Sequence, residues 1–269
     1  MKTPKPQLTR IFLASSLMLA GAAAHAQSSD SVNLYGQPTG SGEGRFGGVL
    51  VSTTRYMGSE ERRTIVLPFV DYRWKNGFFV GLGNGLGYLF PTSSEQIQAG
   101  VRITADFGRK EHRSTALRGM GDIDWAPEVG GFFNYFLSRE LSVKTSLRYG
   151  SGNDNNGLLV DVGVHYGTQI APQWRLGGSL STTYANANYM QDYFGVTQAQ
   201  SVASGYAVSQ VGAGIRDVRA GASLTYIINR DWIASGALSV TSFQGDAKKS
   251  VIVRENTPVT GLLSISRGF

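Results

Sequence analysis

Ile97-Gln98-Ala99-Gly100-Val101-Arg102-Ile103-Thr104-Ala105-Asp106-Phe107 changes character at every residue. Ile97, Ala99, Val101, Ile103, Ala105 and Phe107 fall on one side of an extended chain, and Gln98, Gly100, Arg102, Thr104 and Asp106 fall on the other. A strand sends successive side chains to opposite faces, so a wall between lipid and a wet lumen reads this way for about ten residues. One side of 97–107 suits lipid and the other suits water.

The same period recurs along the chain. Leu141, Val143, Thr145, Leu147 and Tyr149 oppose Ser142, Lys144, Ser146 and Arg148, and Val160, Val162, Val164 and Tyr166 alternate with Asp161, Gly163, His165 and Gly167. Stretch 174–184 sets Leu176, Gly178 and Leu180 against Arg175, Gly177, Ser179, Ser181 and Thr183. Its end residues, Trp174 and Tyr184, are placed to sit in two interfacial girdles, since ten tilted residues cover an apolar band of roughly 25 Å. Stretches 218–228 and 232–243 behave alike. A soluble β-sandwich or lipocalin-like barrel shares the alternation. Small residues and charges of both signs on the polar faces, and connections that alternate between short and long, favour the membrane barrel. Short turns fall at 75–76, 138–140, 171–172 and 229–231, and long connections at 109–124, 186–214 and 244–257.

Composition agrees. The 269 residues include 35 Gly, 4 Trp, 12 Tyr and 13 Phe, with glycine at nearly twice its usual share of about 7%. There is no cysteine, so no disulfide framework exists, and a zinc site of His and Cys is excluded by the scarcity of both. Residues 1–26 read as a secretory signal peptide, with Lys2, Lys5 and Arg10 before an apolar run at 11–24 and Ala24-His25-Ala26 before the expected mature start, Gln27. Without that leader the formal charge falls from +6 to +3, too mild for a nucleic-acid partner. The predicted fold is all-β: residues 27–269 as one transmembrane antiparallel up-and-down β-barrel. About eleven strands read clearly between Arg45 and Phe269, and even counts are the rule, so a short strand at 32–35 is expected to bring the total to about 12, or about 10 if 77–107 divides differently.

Several stretches resemble the MltA-interacting protein family (MipA/OmpV) of outer-membrane proteins. They are Tyr56-Met57-Gly58-Ser59, Pro68 with Tyr72, Gly77-Phe78-Phe79, Gly85-Leu86-Gly87-Tyr88 and Gly119-Met120-Gly121-Asp122-Ile123 with Glu128. Tyr189-Met190-Gln191-Asp192-Tyr193-Phe194-Gly195-Val196, Gln200-Ser201, Ser204-Gly205 and Gly245-Asp246-Ala247 with Ser250 follow. The chain departs from the pattern at Val251, where the family has proline, and at Arg267, where barrels favour an aromatic residue before the final phenylalanine. The resemblance implies an outer-membrane scaffold that holds a lytic transglycosylase near a penicillin-binding synthase, with outer-membrane lipid around it and no cofactor.

Candidate site residues divide into two groups. Arg102, Asp106, Lys144, Arg148, Asp161, His165, Arg175 and Arg219 read as a lumen charge network. The connection 185–214, with Tyr189, Tyr193, Phe194, Gly195 and Val196, is long enough to plug the lumen or dock a partner. Asp161 and His165, with Ser179 and Ser181, suggest the constellation of a lipid hydrolase, but no nucleophile-elbow motif accompanies them. Asp122, Asp124 and Glu128 hint at an oxygen-ligand cation site, against a solvated loop rim. The glycines of 81–87 are expected to relieve crowding in a bent strand. A small-solute pore is the alternative function, and a hydrolase the third.

Overall fold

The computed structural model describes residues 43–269. The leader at 1–26, the start at Gln27 and the strand expected at 32–35 lie outside the described residues. Twelve antiparallel strands close into one barrel, each paired with its chain neighbours. They are β1 (Glu43–Thr54), β2 (Arg62–Arg73), β3 (Phe78–Gly81), β4 (Gly85–Leu89), β5 (Ile97–Asp106), β6 (Ala126–Phe136), β7 (Leu141–Ser151), β8 (Gly157–Ala171), β9 (Trp174–Ala185), β10 (Gly214–Ile227), β11 (Trp232–Phe243) and β12 (Val259–Gly268). Three short helices interrupt the outer connections: α1 (Ala187–Phe194), α2 (Gln198–Ser204) and α3 (Gly245–Lys249).

The even count is met within 43–269. What reads as a bent strand at 81–87 is a tight hairpin, β3 and β4, whose second strand opens at Gly85 with φ +76°. A side chain there would meet the Ile103 carbonyl at 2.2 Å, so glycine is needed for both the backbone and the space.

Burial is inverted relative to a soluble protein. Val66 (73%), Leu238 (63%) and Leu263 (61%) are the exposed side chains, while Arg102, Glu128 and Asp161 are each 3% exposed or less. Soluble sandwiches bury aliphatic and expose charged residues; an apolar exterior around a polar interior is the signature of a lipid-facing barrel. At the inner end the outer face carries an aromatic girdle, with Tyr72 4.8 Å from Trp74, Phe78 5.0 Å from Tyr88, and Trp174 4.6 Å from Tyr226. Tyr149 and Tyr184 lie exposed toward the other end, so Trp174 and Tyr184 do occupy the two ends of β9.

Closure joins β1 to β12, with Val49 opposite Ser264. Phe269 and Gly44 exchange backbone hydrogen bonds of 3.0 and 3.2 Å, and the Phe269 ring stacks on Tyr72 at 5.7 Å. Arg267, at the position where an aromatic residue is usual, pairs with Asp231 of the β10–β11 turn at 3.5 Å.

Candidate functional site

Charged side chains gather inside the barrel from β5 to β10. Arg148 of β7 donates to Glu128 of β6 at 3.1 Å and to Asp161 of β8 at 3.2 Å. Arg219 of β10 reaches Asp161 at 3.4 Å and Asp217 at 3.3 Å. Hydroxyls complete the shell: Ser151 and Thr104 donate to Glu128 at 2.6 and 2.9 Å, Thr183 donates to Asp161 at 2.7 Å, and Arg102 donates to Ser146 at 2.7 Å. Alternating signs and several hydroxyl donors let the charges sit out of bulk water.

A bulge in β10 extends this network. The register against β9 shifts between Ile215 and Asp217, which turns two consecutive residues, Arg216 and Asp217, inward; they are 3% and 0% exposed. A bulge re-aims side chains in this way, and alternation alone gives no warning of it. Arg216 donates to the Tyr189 hydroxyl at 3.0 Å and lies 5.5 Å from the centre of its ring.

Through Tyr189 the network meets a cap over the outer mouth. Asn186 accepts the Tyr189 N–H and starts α1; Thr197 and Gln200 form a reciprocal capping box on α2, which ends at Gly205 with φ +79°. Tyr189, Tyr193, Phe194 and Val196 are all 4% exposed or less. They pack against Ile123, Phe243, Ala247 and Val253 in one cluster and against Tyr56, Met120 and Ile252 in another. Gly195 lets the chain pass against Gln191, whose amide nitrogen would lie 2.1 Å from an added Cβ.

Polar ties lock the cap to the wall. The Tyr193 hydroxyl donates to both Asp106 oxygens at 2.6 and 2.7 Å, and Asp106 also accepts the N–H groups of Gly108 and Gly152. Buried Arg109 donates to the Tyr193 carbonyl at 2.9 Å, Ser250 to the Phe194 carbonyl at 2.6 Å, and Tyr56 to the Ile252 carbonyl at 2.8 Å. Burial pushes the Tyr189 and Tyr193 phenols well above their ordinary value, raises Tyr56 to about 12, and lowers the guanidinium of Arg109. These phenols are therefore neutral donors at physiological pH.

The remaining candidates disperse. Lys144 and His165 face the lumen further toward the inner end, with Lys144 beside Asn134 and His165 beside Ser142 and Ser179. Arg175 shares their strand face but lies exposed at the inner rim and pairs with no acidic group among the described residues. Asp161 and His165 are four residues apart on one strand, about 13 Å along its axis, too far for the carboxylate to orient the imidazole. Asp122 and Asp124 pair with Lys110 on the outer surface, whereas Glu128 points into the lumen, so the three do not converge. No group of three such ligands is placed to hold a metal ion among the described residues. Glu128, Thr183, Arg216, Asp217 and Arg109 are structural members of the site that the sequence reading did not place in the network. Glu128 and Thr183 carried a legible signal, the inward parity of β6 and of β9.

A family model described as MltA-interacting protein MipA matches residues 46–269. No curated protein sequence matches the chain. Among solved structures the chain is similar to the NanC porin, at 14% identity over 84% of this chain and 98% of that one, with a TM-score of 0.46. It is also similar to an outer membrane channel from Pseudomonas putida F1, at 13% identity over 88% and 100% of the two chains, with a TM-score of 0.47. A bacterial polysaccharide outer membrane secretin matches at 9% identity over 87% and 99%, with a TM-score of 0.47.

Proposed function

The chain belongs to the MltA-interacting protein MipA family, and from that premise we propose that this outer-membrane barrel is a non-catalytic scaffold. Its partners are a lytic transglycosylase and a penicillin-binding synthase of murein remodelling, and residues 1–26 are the leader that exports it. The observation that carries this reading is the sealed outer mouth. Tyr189, Tyr193 and Phe194 are buried in the cap across the outer mouth, which supports a barrel closed on that side. Partner contact then falls to the inner rim, where the short turns at 74–77, 137–140, 172–173 and 228–231 present a low surface to the periplasm.

Because the chain has no cysteine, one cysteine placed at Asn76, Arg139, Gln173 or Arg230 marks one turn specifically. Crosslinking from these positions in whole envelope is expected to recover both murein enzymes, with a barrel of similar size as control. Recovery of neither from any turn would overturn the scaffold. The charged lumen favours a second reading, a small-solute pore. Planar-bilayer recording separates the two: the capped protein is expected to be silent, and steady conductance would favour the pore.

A further inference from the structure

Three arginines meet at one corner of the outer mouth. β1 and β2 run there as a hairpin, with Thr53 opposite Arg63, and the Arg55 N–H continues the ladder by donating to the Glu61 carbonyl at 2.9 Å. Parity sets Arg55, Glu61 and Arg63 on the inward side with buried Thr53. Arg55 and Arg63 are therefore diagonal cross-strand neighbours, about 7–8 Å apart and within reach of each other's long side chains. The connection between β5 and β6 brings the third: Arg55 donates to the Arg113 carbonyl at 3.2 Å, and Ser114 donates to Glu61 at 2.7 Å. These two bonds fasten residue 113 against the hairpin.

Glu61, the carboxylate of this corner, is already engaged, by Arg55 at 3.1 Å and by Ser114. Arg63 has Nε and Nη2 buried with no hydrogen-bond partner among the described residues, and Arg113 has Nη1 in the same condition. The charged groups that bear on Arg63 are Arg113 and Arg55, both cations. Arg113 also feels Asp122, but that carboxylate is held by Lys110 at 3.1 Å and by the Glu111 N–H at 2.8 Å. Arginines deeper in the barrel are built otherwise: Arg148, Arg216 and Arg219 each reach a carboxylate. A guanidinium withdrawn from water beside like charges is costly unless an anion meets it.

Three guanidinium groups against one carboxylate leave the corner with a net charge of +2. We infer that Arg63 and Arg113, with Arg55 at the rim, bind a doubly charged tetrahedral oxyanion, a phosphate group above all. The fork of a guanidinium matches two oxygens of one phosphate, and the remaining oxygens serve the second arginine. A halide has one centre and a carboxylate only two oxygens, so neither meets donors that arrive from a strand and a loop at once. The height of the site admits two sources of the same group. Val66 is 73% exposed on the lipid side of β2, while Arg62, four residues above it, faces outward and donates to the Val259 carbonyl at 2.7 Å. Arg63 thus stands where the apolar band gives way to headgroups. A lipid headgroup leaning over the rim and a free phosphate from the outer medium both reach it.

The test uses the full chain folded into phosphatidylcholine vesicles, with urea unfolding followed by gel mobility of the unheated sample. Inorganic phosphate is compared with chloride at matched ionic strength. Phosphate at about ten times its dissociation constant is expected to shift the unfolding equilibrium about tenfold toward the folded barrel. Arg63→Gln and Arg113→Gln are each expected to remove that response. In chloride both should be at least as stable as the parent, because each removes a cation whose donors are unmet. Vesicles that also contain phosphatidic acid separate the sources. Stabilisation by this lipid to which free phosphate adds nothing assigns the site to a headgroup, and stabilisation by free phosphate alone assigns it to a soluble ion. Equal stability of the parent in phosphate, phosphatidic acid and chloride would overturn the inference. So would a response that survives both substitutions, or a loss of stability in chloride on either one, which would make that arginine a structural partner.

Discussion

Glu128→Gln tests whether the lumen network behaves as a buried assembly. Glu128 is 1% exposed and accepts from Arg148, Ser151 and Thr104. The amide keeps the shape but removes the charge, and its NH2 group must face donors. Arg148 then loses one carboxylate and keeps Asp161, at 3.2 Å. Breaking one partner of a buried pair costs about 3–5 kcal/mol, and the surviving Asp161 contact holds the loss near the lower end, about 3 kcal/mol. Urea unfolding from vesicles, followed by tryptophan fluorescence and gel mobility, measures it. Arg175→Gln at the exposed rim should fall within about 0.5 kcal/mol of the parent. A Glu128→Gln loss below about 1 kcal/mol would place the site among solvent-screened pairs and refute the reasoning. Removing Arg148 as well should return part of the loss, because the charge that lost a partner goes with it.

Other outcomes follow from the cap and the seam. Phe194→Ala empties a wholly buried position, and a cavity of that kind costs about 3–5 kcal/mol; faster amide exchange in α1 and the appearance of conductance in planar bilayers are expected together, and neither changing would mean the cap does not seal. Asp122 is held below its ordinary 3.8, first by the Glu111 N–H and then by Lys110. Its contribution to the outer connection is therefore present above that value and lost as pH falls through the lower folded value. Amide exchange of Glu111, compared at neutral pH and in acid after correction for intrinsic rates, should rise only in acid. Deleting Phe269 removes its stack on Tyr72 and its tilted contact with Phe46, each worth about 0.5–1.5 kcal/mol; slower appearance of the folded gel band measures the effect on closure.

Much of the wall was legible because lipid and lumen impose opposite demands on adjacent residues. The faces of 97–107 and 158–168 follow from parity alone, and the turns at 138–140 and 229–231 from polar breaks in that pattern. β3 and β4 are too short for alternation to separate them, so their hairpin reads as one strand. The β10 bulge hides Arg216 and Asp217, because two consecutive inward residues violate the period that reveals the rest. α1 and α2 carried readable starts in Asn186 and in Thr197 with Gln200, but an unbroken polar-aromatic connection masks them. Asp122, Asp124 and Glu128 look like one acidic cluster in sequence; the start of β6 between them sends the last into the barrel. Arg175 has the parity of the network, and its separation from it depends on height along the barrel, which a strand pattern does not encode.

The cap is assembled from segments far apart along the chain. Tyr56 reaches Ile252 across 196 residues, Arg109 reaches Tyr193 across 84, and Ser250 reaches Phe194 across 56. Contacts of such separation repay their loop-closure entropy only after the intervening chain is in place. A barrel whose last strand has not yet met its first has no surface on which Ile252 can find Tyr56. The Tyr56–Ile252 tie is therefore expected to form only once the last strand has met the first, and protease resistance at that side of the mouth would then time barrel closure in the assembling cell envelope.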